Sequence, residues 1–169
     1  MTTQPKPATR PVKPYFSSGP TTKRPGWSPA ALNNACIGRS HRSKPAKDRI
    51  NEAMHLAREL LSIPDDYLIG IVPGSDTGAV EIAMWSLLGQ RRVEVLAWEA
   101  FGKDWVIDAV SELKIDPITH QAPYGQLPDL SKVDFNNDVI FTWNGTAAGV
   151  KVPNGDWIAD DRKGLTITD

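Results

Sequence analysis

Between Pro45 and Leu61 the apolar residues Ile50, Ala53, Met54, Ala57, Leu60 and Leu61 recur at three- and four-residue intervals, which predicts a helix with one apolar face. Further on the spacing changes. "YLIGIV" reads as a strand over Leu68 to Val72, "PGSDTG" as a tight loop, and "AVEIAMWSLLG" as a helix stopped by Gly89. Strand, helix and strand then follow in "VEVLAW", "KDWVIDAVSEL" and "KIDPIT", and two more apolar runs, "DVIFTW" and "LTIT", close the chain. These strands are apolar on both faces and alternate with helices. That predicts an α/β fold with a mostly parallel sheet covered by helices.

The chain begins differently. Pro5, Pro7, Pro11, Pro14, Pro20 and Pro25 forbid a helix over residues 1–27, so this stretch is expected to be an extended arm. In "WSPAALNNACIG", Ser28 offers an N-cap, Pro29 a first helical residue and Gly38 a stop, the signals of a short helix. "GRSHRSKP" is a polar loop before the long helix. The expected organisation is an arm over residues 1–27 and one domain over 28–169.

Composition narrows the function classes. A chain of 169 residues, 40% hydrophobic and 23% charged, can bury a core without disulfides or metal, and Cys36 is its only cysteine. It has no apolar run long enough to cross a bilayer, and its basic, proline-rich start lacks the apolar stretch of a secretory signal. A cytoplasmic, membrane-free protein is expected. Charge is uneven: residues 1–49 hold ten Lys or Arg against the single acid Asp48, and the remainder holds nine bases and nineteen acids. The basic half contains no aromatic stacking pattern or nucleic-acid motif, so nucleic acid is not expected; the arm could dock on the acidic remainder or on a partner subunit, or supply Arg side chains to a small anionic ligand.

In parallel sheets, ligands gather beyond the carboxyl ends of the strands, and three polar or aromatic loops fall there. "PGSDTGA" ends at a helix N-terminus, where free backbone N–H groups and the helix dipole favour an anion. Ser75, Asp76 or Thr77 could equally do no more than cap that helix. "AWEAFGKDW" brings Trp98, Phe101 and Trp105, of which an aromatic could stack on a planar ligand, while Trp105 suits the core face of its helix. "FTWNGTAAGVKVPNGDWI" adds turns at Gly145 and Gly149 and the hydroxyl of Thr146. Asp169 puts a carboxylate at the end of "LTIT". Arg42, beside His41, could grip a carboxylate or phosphate with two parallel charge-assisted bonds, or could simply be solvated. His41, His55 and His120 have no metal-like spacing, so no metal is assigned.

In combination, "FSSGPTTKRPGWS", "SHRS", "TWNGTAAGVKVPNGDWI" and "DRKGLTITD" resemble the N-terminal part of the phosphoserine aminotransferases, class V enzymes of fold type I that use pyridoxal 5'-phosphate. The likeness runs from Pro14 onward. It implies part of the large domain of that fold, and transfer of the amino group of glutamate to 3-phosphohydroxypyruvate in serine synthesis. A related role in pyridoxine synthesis and a homodimeric complete form are implied as well. By position, Arg42 would bind the carboxylate of glutamate, with His41 beside it. Asp76 and Thr77 fall in the phosphate loop, where many relatives carry Gly-Arg. Asp76 is tolerable there if its carboxylate turns away to cap the helix. Phe101 stands where many relatives stack a Trp on the cofactor, and Thr146 matches a threonine bonded to the cofactor. Asp169 matches the acid facing the pyridine nitrogen.

The resemblance also implies a cofactor-anchoring lysine C-terminal to that acid. None of the ten lysines here occupies its position, and Lys163 sits in a turn before the last strand. The 169-residue chain by itself is therefore expected to be inactive. Two other readings stand beside this one: a class V aminotransferase of the alanine or serine-glyoxylate type, and a catalytically silent binding or assembly fragment.

Overall fold

The computed structural model describes residues 8, 9, 12 and 23–169, which form two compact units divided between Ile69 and Gly70. Most of the expected arm, with its Phe16–Pro20 motif, lies outside the described residues.

In the first unit, Ser28 and Pro29 do start a helical segment, but it is a single 3-10 stretch, Pro29–Leu32, and the Ser28 side chain bonds no backbone N–H. The long helix α1 spans Lys44–Leu60, with Pro45 in its first turn where a missing N–H costs nothing. It has the predicted amphipathic pattern yet buries none of its residues, and Leu60 is 82% exposed. Its exposed flank carries the pairs Lys44–Asp48 at 2.7 Å and Arg49–Glu52 at 2.6 Å. Such pairs contribute about 0.2–0.5 kcal/mol each. Beyond α1 the Arg58 guanidinium gathers the turn, donating to the carbonyls of Ile63, Pro64 and Tyr67.

The expected strand over Leu68–Val72 does not form. The segment pairs with no strand among the described residues, and Leu68 is fully exposed. Without a partner strand its amides are left to water, and apolar character alone cannot make it a strand.

The second unit contains helix α2, Asp76–Leu87, strand β1, Val93–Ala97, helix α3, Ala100–Ile107, and strands β2, Ile118–Gln121, β3, Asp138–Phe141, and β4, Thr166–Thr168. The strands form one sheet in the order β2-β1-β3-β4, and every pairing is parallel. Strand β2 begins four residues later than the "KIDPIT" pattern predicts, since Pro117 has no N–H to donate and pairing starts after it. Helix α3 runs on into a π-helical turn, Asp108–Glu112, which Lys114 ends in the left-handed region with φ of 57°.

Side chains alternate across the sheet. Val93 and Val95 of β1 and Ile140 of β3 face α2 and α3, where they pack with Val80, Met84, Trp105 and Ala109. Leu96, Val139 and Phe141 face the other way, onto Phe135, Trp98 and Val152. That second layer is built from loops: the Trp157 ring stands 4.9 Å from Phe141 and 5.4 Å from Phe135, centroid to centroid. Each large apolar side chain fully buried here stabilises the unit by about 1.5–3 kcal/mol. One polar cluster lies inside the second layer. Glu94, 1% exposed, contacts His120 Nε2 at 2.6 Å and accepts from Asn137 Nδ2 at 2.6 Å, tying β1 to β2 and to the turn before β3.

Candidate functional site

Because all four strands run the same way, their carboxyl ends share one edge of the sheet. Asp169 follows β4 there. Its backbone continues the ladder, its N–H donating to the Phe141 carbonyl at 3.1 Å and its carbonyl accepting from Trp143 N–H at 2.8 Å, so its position is set by β3 on one side. Its side chain is fixed from another: Trp105 Nε1–H donates to Oδ2 at 3.0 Å. Trp105 is both a core residue, 2% exposed, and the anchor of this acid, a double role that its helical spacing hides.

Burial holds the Asp169 carboxyl above its usual range, the Trp105 donor works against that, and the Asp76 and Glu99 carboxyls push it up further. Asp76 is the first residue of α2, which packs on β4. The cap of α2 is Ser75, whose Oγ accepts from Gly78 N–H at 3.3 Å and whose carbonyl accepts from Ala79 N–H at 3.0 Å. Asp76 therefore does not cap its helix, and its negative charge is one of the influences that raise the Asp169 carboxyl. The N–H groups of Asp76 and Thr77 have no acceptor among the described residues. Both residues are exposed at the helix start.

Phe101 lies in the first turn of α3, one turn before Trp105, and is 38% exposed. Thr146 is exposed in the loop after β3, which closes on itself through Gly145 N–H to the Val150 carbonyl at 2.9 Å and Val152 N–H to the Trp143 carbonyl at 3.0 Å. Gly149 turns this loop with φ of 68°, a conformation that strains other residues. Trp98 Nε1–H reaches the Val150 carbonyl at 3.1 Å, and Glu99 accepts from Ala147 N–H at 3.2 Å. Asp76, Thr77, Phe101, Thr146 and Asp169 thus all lie on segments at the carboxyl edge.

Sequence reasoning missed Trp105 as a donor and Glu99 altogether. Only the position of Glu99 directly before a helix could have signalled its capping role. His41 and Arg42 belong to the first unit. There the Arg42 N–H donates to Ser40 Oγ at 3.1 Å, both side chains are exposed, and Arg42 has no carboxylate partner among the described residues. The described residues contain no cluster of three potential metal ligands and no helix long and apolar enough to cross a membrane.

No protein-family model matches the chain. A phosphoserine aminotransferase of Methanosarcina mazei is 57% identical to it over 165 residues, which are 97% of this chain and 45% of that protein. One from Methanosarcina barkeri is 54% identical over the same shares, and a putative phosphoserine aminotransferase of Mycobacterium leprae is 31% identical over 86% of this chain and 39% of its own. The crystal structure of a phosphoserine aminotransferase from Cytophaga hutchinsonii superposes with a TM-score of 0.72 at 22% identity, over 83% of this chain and 40% of that one. A pyridoxal-phosphate-bound phosphoserine aminotransferase from Trichomonas vaginalis gives 0.55 at 19% identity, over 79% and 38%. These two likenesses show the fold, part of the large domain seen in such aminotransferases. The chain spans under half the length of the relatives it matches, and over nearly all of its own length it is similar to the N-terminal part of phosphoserine aminotransferases.

Proposed function

We propose that this chain supplies the pyridoxal-phosphate cradle of a phosphoserine aminotransferase, which moves the amino group of glutamate to 3-phosphohydroxypyruvate. The observation that carries the reading is Asp169: a carboxyl at a strand's carboxyl end with Oδ2 held by Trp105 and Oδ1 without a hydrogen-bond partner among the described residues. The donor set fits the cofactor. An acid of fixed orientation suits a pyridinium N–H, and two free amides at the start of a twelve-residue helix suit a phosphate. The Asp76 carboxyl would repel a phosphate, so the phosphate is held by the backbone amides of this turn and not by its side chains.

When bound, pyridoxal phosphate supplies an electron-withdrawing ring that stabilises charge at the substrate α-carbon. The chain's own groups do the rest. Asp169, ionised, keeps a proton on the ring nitrogen; Phe101 offers a flat apolar face; Thr146 offers a hydroxyl to the cofactor; the Asp76 and Thr77 amides hold the phosphate. Arg42, with His41 beside it, grips the substrate carboxylate as a bidentate pair. We place the protein in the cytoplasm and its complete form in a homodimer.

Pyridoxamine 5'-phosphate tests the cradle without any covalent link. Calorimetry should show it binding, with affinity lowered about tenfold or more in Asp169→Asn, which loses a charge-assisted bond. Equal affinity of the two proteins would dispose of the reading. A second role, assembly with another polypeptide segment, is favoured by the exposure of Leu60 and Leu61 at the end of α1 and of Leu68 and Ile71.

A further inference from the structure

We propose that Glu99 is a positioning residue that locks the Phe101 and Thr146 segments to each other; the inference rests on the reading above of those two residues as cofactor contacts. Glu99 ends the turn after β1 and is 5% exposed. Oε1 accepts from Gly102 N–H at 2.9 Å, the amide next to Phe101. Oε2 accepts from Ala147 N–H at 3.2 Å, the amide next to Thr146 and 48 positions away in sequence. One carboxylate thus grips both segments at the residue adjoining each contact.

Helix capping alone would not produce this arrangement. A cap needs one oxygen, and Ser75 performs that duty for α2 with a hydroxyl. A buried carboxylate without a cationic partner is costly unless its oxygens are satisfied, and no ion pair to Glu99 exists among the described residues. Two amides and the positive end of α3 supply what a cation would. The loop is shaped around the acid: a Cβ on Gly145 would stand 2.6 Å from Glu99 Cγ, 3.1 Å from Trp98 Nε1 and 3.3 Å from the Val150 carbonyl. Glycine at 145 lets the loop settle onto the carboxylate.

Three variants of the intact protein separate positioning from packing. Glu99→Gln keeps the shape and loses the charge. Glu99→Asp keeps the charge and the short reach to Gly102 but cannot span to Ala147. Gly145→Ala keeps the acid and displaces the loop. In each, hydrogen exchange at the Ala147 amide should speed up about tenfold or more, while β1 and β3 amides stay protected. Affinity for pyridoxamine 5'-phosphate should fall by about the same factor, and Glu99→Asp should keep the Gly102 amide protected. Unchanged exchange at Ala147 overturns the proposal, as does faster exchange there with unaltered probe affinity. Failure of the unmodified protein to bind the probe removes the cofactor reading and the positioning role together, while the exchange data still report whether the clamp exists.

Discussion

Asp169 shows how one residue is pulled in opposing directions. Burial and two neighbouring acids favour its protonated form, whereas the indole of Trp105 favours its charged form, and burial is the strongest of these influences. A carboxyl that holds its proton more tightly folded than unfolded contributes stability fully below the unfolded value of about 3.9, and loses that contribution as pH rises through the raised folded value. Asp169→Asn should therefore be more stable than the parent near pH 7, with the gap closing towards pH 3. Denaturant midpoints at pH 3, 5 and 7 measure this. Asp108, also raised, and Asp129 and Asp134, both lowered, are common to the two proteins and cancel in the difference. A gap independent of pH would show that Asp169 carries no electrostatic cost. At this scale much was legible. A terminal acid after an apolar run and a Ser-Asp-Thr turn before a helix are visible in the string of letters. The Trp105 bond was not, because its partner lies 64 positions away, and of Ser75, Asp76 and Thr77, the candidate caps of α2, it is Ser75 that performs the duty.

Among the elements, period and length predicted α1, α2, α3 and the strands β1, β3 and β4 close to where they lie, because each has a repeat that only one conformation satisfies. The Leu68–Val72 segment has the same apolar density and no partner strand, and β2 is displaced by a proline. Strand identity depends on neighbours that a local window cannot see. Burial divides the helices in a way that substitution will reveal. Met84 on α2 is fully buried against β1 and β3, so Met84→Ala should cost about 2–5 kcal/mol. Leu60→Ala on α1 should cost under about 1 kcal/mol, since exposed sites contribute little. Urea titrations of both variants decide the matter, and comparable losses would mean that the α1 face is covered in solution.

For the molecule as a whole, the parallel sheet, with the carboxyl ends of its strands along one edge, follows from the alternation of strands and helices, which was readable in the sequence. The second sheet face was not: loops carrying Phe135, Val152 and Trp157 cover it, and no periodicity announces a layer of that kind. A polypeptide of these 169 residues should turn over no glutamate with 3-phosphohydroxypyruvate, because none of its lysines lies at the position expected for covalent attachment of the cofactor. A coupled assay for 2-oxoglutarate measures this, and turnover would show that another group takes that part. Asp76 and Glu99 both add to what burial does to the Asp169 carboxyl, so the surroundings of that acid have an appetite for positive charge. Any cationic visitor that binds there offsets the crowding of negative charge and tightens the fold as it settles.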